Sequence, residues 1–139
     1  MQLNIVLKTI GLLLMIFSST QLPPIIVSYI YQDGEVGTFI ISFALTFIGG
    51  FLLSQPFKDL RKDFRIREGV LVVVCFWLVL SLFATAPFIL TDSVGHLQFS
   101  SAFFESMSGL TTTGATVIAN LEDIPRSILY YRQQLQWLG

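Results

Sequence analysis

Three long blocks without a charged residue limit what this chain can fold into. The first lies between Lys8 and Asp33 and holds 24 residues; Val36–Phe57 holds 22 and Gly69–Thr91 holds 23. As helix the shortest of them reaches about 33 Å, enough to cross a hydrocarbon core of about 30 Å. A soluble fold would have to hide all of that surface and show about 25–35% charged residues to water. Here 12% of residues are charged, 53% are hydrophobic and the mean hydropathy is +0.72. The expected class is an all-α integral membrane protein. A net charge of −1 gives a nucleic-acid partner no support.

Prolines stand inside the first and third blocks, where they remove a backbone donor and break the helical ladder. Pro23 and Pro24 predict a kink in the first span, with the hydroxyls of Ser18, Ser19 and Thr20 or a neighbouring helix satisfying the freed carbonyls. Pro87 predicts a bend or an end near the far side of the third. Lys8 followed by "TIGLLLMIF" imitates a secretory signal, but no small-residue cleavage site follows and the apolar run continues. A retained helix is expected. The loop 58–68 holds five of the eight basic residues, so it and the N-terminus are expected on the cytoplasmic side. Its three interleaved acids argue against a nucleic-acid patch.

Cys75 is the only cysteine, set in an apolar run and read as a small buried thiol. His96 is the only histidine and reads as a surface loop residue. Neither has partners for a metal site. No phosphate loop and no nucleophile–base pattern stands in the sequence, so no enzyme activity is expected.

After the third block the pattern changes. Residues 99–110, "FSSAFFESMSGL", would make about 18 Å of helix, a length that enters a membrane without crossing it. Ser100 or Ser101 is the expected cap, Phe99, Phe103, Phe104 and Met107 the expected apolar face, and Gly109 the expected end. Then comes "TTTGA". Three β-branched residues disfavour helix, and Gly114 permits a backbone conformation other residues resist. "TVIANLEDIPRS" returns to a new helix with Pro125 in its first turn. Span, short helix, threonine–glycine segment and new helix make a pore loop. A cation sheds its water only where oxygen dipoles replace that shell, and extended backbone with inward carbonyls supplies them. The partially negative end of the short helix favours a cation nearby.

The strings "FFESMSGLTTTGATV", "LYYRQQLQWLG" and "REGVLVVVCFWLVLSLFATAPFIL" together resemble the N-terminal part of the Trk-type bacterial potassium uptake proteins, within the wider Trk/Ktr/HKT superfamily. The resemblance implies four membrane–pore–membrane repeats around one filter, preceded by two extra helices. Carried over, residues 1–57 are those extra helices, 58–68 the basic cytoplasmic loop and 69–139 the first potassium-channel-like repeat. Within it, 69–91 is the outer helix, 99–110 the pore helix, 111–115 the filter and 125–139 the start of an inner helix. Residues 127–139 reach about 20 Å as helix, too short to recross the core. The chain is therefore expected to be truncated in that helix, one piece of a longer polypeptide with three further repeats.

By this resemblance the backbone carbonyls of Thr111, Thr112, Thr113 and Gly114 are the candidate potassium-binding groups, with Thr112 and Thr113 holding the ion. A C-capping turn is the plainer alternative for the same residues. Glu105, an acid at membrane depth, either holds filter amides, biases the vestibule or sits at the water interface. Asp92, Glu122 and Asp123 either concentrate cations at the outer mouth or are solvated, Asp123 also favouring the start of the next helix. Arg132 either snorkels to headgroups or packs against the outer wall of the filter. Trp77 and Trp137 are read as packing and interface residues.

The expected function is potassium uptake across the bacterial cytoplasmic membrane, this chain supplying the first pore repeat, with potassium as transported ligand and no covalent cofactor. The rival is a non-conducting scaffold or a truncated, non-functional piece of such a transporter. Membrane lipid and the remaining repeats are expected partners. The resemblance adds homodimerisation and a cytoplasmic nucleotide-binding regulatory ring.

Overall fold

A computed structural model describes residues 3–57, 66–95 and 97–139. Most of the basic loop, residues 58–65, and His96 lie outside the described residues. Every regular element among the described residues is helical. Helix α1 (Leu3–Ser18) runs through a 3-10 turn (Ser19–Gln21) into α2 (Leu22–Tyr31). Helix α3 (Val36–Ser54) returns antiparallel. Helix α4 (Ile66–Ala84) continues, after a break at Thr85, as α5 (Ala86–Leu90). The short α6 (Phe99–Leu110), a 3-10 turn (Leu121–Asp123) and α7 (Arg126–Leu138) complete the order. Among the described residues, three stretches are long and apolar enough to cross a membrane: Asn4–Tyr31, Val36–Ser54 and Gly69–Leu90.

Both proline breaks fall where the residues place them, and new donors meet the carbonyls of Ser19, Thr20 and Ala84. Pro23 and Pro24 lack the N–H groups that would bond Ser19 and Thr20. The Ser19 carbonyl instead accepts from Leu22 N–H. The Thr20 carbonyl accepts from Gln134 Nε2 of α7 at 2.8 Å. One turn earlier, the hydroxyls of Ser18, Ser19 and Thr20 donate to the carbonyls of Met15, Ile16 and Phe17 at 2.6–2.7 Å. The neighbouring helix and Leu22 N–H, not the hydroxyls, meet the two freed carbonyls. At the second break Pro87 bends the span rather than ending it. Phe88 N–H turns to Thr85, and the Ala84 carbonyl accepts from Tyr131 Oη at 3.0 Å.

Helices α1 and α3 meet at bare backbone. A Cβ placed on Gly11 would stand 2.6 Å from the Gly50 carbonyl oxygen, and one on Gly50 would stand 2.6 Å from the Gly11 carbonyl oxygen. Small residues let helices approach this closely where lipid offers no hydrophobic drive for association. The core gathers around Tyr131 of α7, which is fully buried against Phe39 and Phe88 with ring centroids 5.6 and 5.5 Å away. Outward faces of α3 and α4 carry Ile41, Ile48, Leu52, Val73 and Leu78, all exposed.

Polar contacts tie the connections together at one end. Glu35 Oε1 accepts from the Thr91 and Ser93 hydroxyls at 2.6 and 2.8 Å. Asp33 Oδ2 accepts from Ser127 N–H at 2.9 Å, satisfying one of the unpaired donors at the start of α7. Its Oδ1 accepts from the Ser28 hydroxyl and Glu35 N–H. Burial pushes the Asp33 carboxyl up, but hydrogen bonds from Ser28, Ser127 and Glu35 outweigh it and hold it below the ordinary carboxylate value.

Candidate functional site

Helix α6 spans the residues expected of it, yet neither its cap nor its buried face is the expected one. Gln98, extended at φ −60° and ψ 151°, starts the helix, and its carbonyl accepts from Ala102 N–H. No side chain caps it, and Ser100 and Ser101 lie inside the first turn. The buried face is Ala102, Glu105, Ser106, Gly109 and Leu110, while Phe99 and Phe104 are exposed. In a membrane an aromatic side chain gains nothing by turning inward, so small and polar residues take the protein side. Gly109 is not the end of the helix but its contact with α7, where an added Cβ would stand 2.9 Å from Leu135 Cβ.

At the end of α6 four successive donors turn back on the helix. Thr111 N–H donates to Met107, Thr112 N–H to Gly109, and Thr113 and Gly114 N–H both to Ser108, at 2.8–3.3 Å. In a trans peptide the carbonyl of one residue points opposite to the N–H of the next. The carbonyls of Thr111, Thr112 and Thr113 therefore point away from α6. Among the described residues none of the three accepts a hydrogen bond, and all three residues are exposed. The segment caps the helix and leaves a row of open oxygens. The capping alternative describes the donors of this segment, and its carbonyls stay open.

This geometry needs two left-handed residues, Thr112 at φ +58° and Gly114 at φ +73°. The second suits glycine. The first is a β-branched residue in a region such side chains avoid, which marks local strain. The Thr111 hydroxyl donates to the Met107 carbonyl and lies 2.9 Å from the Thr113 hydroxyl, holding the turn from the side.

Beyond Thr113 the chain is tied to its wall. The Gly114 carbonyl accepts from Arg132 Nη2 at 2.9 Å and the Ala115 carbonyl from the Ser108 hydroxyl at 2.7 Å. Glu105 is buried. Its Oε1 accepts from Val117 N–H at 2.7 Å and from the Thr116 hydroxyl, and its Oε2 from Arg132 Nε at 3.1 Å. Arg132 is 7% exposed, so it packs against the 114–117 strand and does not snorkel. Desolvating this pair is costly, and charge-assisted bonds from three segments offset that cost. One ion pair joins α6, the returning strand and α7.

Other candidates lie apart from this cluster. Asp123 is exposed in its 3-10 turn and, with Ser93, Val117 and Asn120, lines a cleft of about 290 Å³. Asp92 and Glu122 are exposed. The donor at the start of α7 pairs with Asp33 rather than Asp123, and Pro125 precedes that helix as its flanking residue. Cys75 is half-buried at the core's edge. Trp77 packs against the core and Trp137 is exposed. The sequence reading did not single out Gln21, Asp33, Glu35, Tyr131 or Gln134. The available signal was a polar or charged side chain inside, or at the margin of, an otherwise apolar segment.

Three helices long enough to span, followed by a 12-residue helix and a non-helical threonine–glycine segment with open carbonyls, define a multi-pass membrane protein. The model of the TrkH family, described as cation transport protein, matches residues 35–139, and the chain belongs to that family. It is 48% identical over its whole length to the Trk system potassium uptake protein TrkH of Halomonas elongata, and 42% identical to TrkH of Escherichia coli K12. It covers 29% of each of those proteins. The crystal structure of the potassium transporter TrkH from Vibrio parahaemolyticus superposes on the whole chain with a TM-score of 0.93 at 41% identity, the chain covering 30% of it.

Proposed function

We propose that this chain is the N-terminal part of a potassium uptake protein of the bacterial cytoplasmic membrane and contributes one wall of its selectivity filter. Residues 1–57 form two helices outside the pore, and 69–139 form the first of four repeats. In that repeat α6 is the pore helix and 111–115 the filter strand. The observation that carries this is the row of unbonded carbonyls on Thr111, Thr112 and Thr113. Irregular backbone at membrane depth is tolerated only where it lines a cavity, and an oxygen row facing one replaces the hydration shell of a potassium ion. Thr112 and Thr113 are the central ligands and Thr111 flanks them. Gly114 supplies the turn that ends the row, its carbonyl held by Arg132. Glu105 supports the strand by taking the Val117 amide. Asp123 sits at the outer vestibule.

The basic loop and the N-terminus face the cytoplasm, which sets the 32–35 and 91–98 connections outside. The remaining repeats complete the ring of oxygens, and potassium passes as substrate. A second copy and a nucleotide-binding regulatory ring are the partners that the resemblance brings.

The test uses the full-length protein in cells deficient in potassium uptake. Gly114→Ser forces a side chain into a left-handed position at about 1–2 kcal/mol and should cut potassium-over-sodium preference about tenfold. Unchanged uptake and unchanged preference would sink the filter assignment. Loss of all flux in every variant of this loop, with the parent also silent, would favour the scaffold.

A further inference from the structure

Both proline breaks leave a carbonyl that their own helix does not satisfy, and both carbonyls are taken by side chains of α7. Pro24 has no N–H for Thr20, and Gln134 Nε2 fills that place at 2.8 Å. Phe88 N–H turns to Thr85 beside Pro87, and the Tyr131 hydroxyl donates to Ala84 at 3.0 Å. Gln21 Nε2, from the first break, donates to Tyr131 Oη at 3.3 Å, which leaves the hydroxyl proton free to point at Ala84. Tyr131 is fully buried, and Gln134 lies one turn along the same face. Between them in sequence stands Arg132, whose guanidinium holds the Gly114 carbonyl and the Glu105 carboxylate.

Two anchors three residues apart lie about 4.5 Å apart along the axis of α7 and set its height as well as its roll. Arg132 reaches Gly114 only at that height and roll. The spans need α7, because an unbonded buried carbonyl is costly. In return the spans fix α7, because the two addresses are unique points on two different helices.

We propose that Tyr131 and Gln134 are positioning residues for the ion path: they use the two proline breaks as docking points that set Arg132, and through it the Gly114 carbonyl, at the end of the filter row. This rests on the filter assignment above. The breaks are then reference marks for the filter rather than incidental kinks. Neither side chain touches the ion.

The experiment compares Tyr131→Phe, Gln134→Met and Gly114→Ser in the full-length protein. It measures potassium-over-sodium preference in reconstituted vesicles and thermal stability in detergent. Tyr131→Phe keeps the ring packing on Phe39 and Phe88, and Gln134→Met keeps length and volume; each removes one donor. Each should lower preference about two- to tenfold, the worth of one hydrogen bond, and the pair together should lower it further. Loss of stability with preference unchanged, while Gly114→Ser does change it, overturns the positioning role and leaves the filter assignment standing. No change from Gly114→Ser removes the filter assignment itself and the positioning role with it. Should either variant insert poorly, the milder Gln134→Asn is followed by hydrogen–deuterium exchange of residues 111–117. Faster exchange there supports the proposal, and unchanged exchange overturns it.

Discussion

Among the described residues, the breaks at Ser19–Gln21, at Thr85 and after α6 interrupt the helical ladder and do not end alike. At Ser19–Gln21 and at Thr85, the carbonyls of Ser19, Thr20 and Ala84 lose their ladder donors and are met by Leu22 N–H, Gln134 Nε2 and Tyr131 Oη. After α6, every backbone N–H from Thr111 to Gly114 is used, and among the described residues the carbonyls of Thr111, Thr112 and Thr113 are not. The first two breaks are closed at these carbonyls. The third has an open valence. A membrane interior tolerates unsatisfied backbone oxygens only where water or an ion can reach them. The same chain that spends side chains from a distant helix on single carbonyls leaves three side by side, and that contrast separates a bend from a site.

The largest expected effect attacks the one ion pair behind the open row. Arg132→Met leaves the Glu105 carboxylate buried without its partner, at a cost of about 3–5 kcal/mol. Thermal unfolding of the full-length protein in detergent should register it. Adding Glu105→Gln should restore much of that stability, because an uncharged pair no longer strands a charge. Ion preference should stay impaired, since the Gly114 carbonyl has still lost its donor. A double variant with normal preference would mean that Arg132 serves packing alone.

A control belongs at the contact that resembles the open row least. Gly50→Leu places a side chain where even a Cβ meets the Gly11 carbonyl oxygen at 2.6 Å. Prying α1 from α3 should cost about 1–3 kcal/mol. Flux per folded molecule and ion preference should stay as they were. If preference falls as far as stability does, the α1–α3 pair and the open row are one mechanical unit.

The sequence told these regions apart only partly, and the reason is physical. Length and charge identify spans, so Val36–Ser54 and Phe99–Leu110 emerge within a few residues of where they were expected. The threonine–glycine segment was legible because propensity and apolar length change together there. Which face of α6 turns inward was not. The rule that large apolar residues go inside comes from water, and with lipid outside Phe104 turns outward while Ser106 is buried. Arg132 carried both a snorkelling and a packing alternative, and only its distance to Glu105 decides between them. Gln134 and Tyr131 were silent because each acts on a carbonyl more than forty residues away in sequence. Such pairings follow from how the helices cross, which no local pattern encodes.

A smaller effect, with opposite signs in two measurements, sharpens the open row itself. Thr112 is held at φ +58° although its side chain is β-branched. Thr112→Gly should relieve this strain, worth about 1–2 kcal/mol, against a cost in unfolded-state entropy of about 0.5–1 kcal/mol. Thermal stability should therefore hold or rise slightly. Preference for potassium should fall severalfold, because the oxygen row loses the stiffness that fixes its spacing. Stability and preference moving together would instead fit a plain helix cap.

The smallest effect lies at Asp33, in a connection where everything is bonded. Its carboxyl is held below the ordinary value because hydrogen bonds from Ser28, Ser127 and Glu35 outweigh the opposing effect of burial. A group lowered on folding stabilises the fold above its unfolded value of about 3.9 and loses that contribution as pH falls through the lowered folded value. Asp33→Asn should thus be less stable than the parent by a constant amount from pH 7 down to about 5, with the gap closing below about 4. The start of α7 should feel the loss first, since Ser127 N–H bonds Asp33 directly, and exchange at residues 126–129 reads it. Ion preference should be flat across the same range. A closed contact can weaken without the open oxygens moving only if α7 keeps its other anchors, so a preference that tracks the Asp33 titration would extend the docking of α7 from the two breaks to this loop.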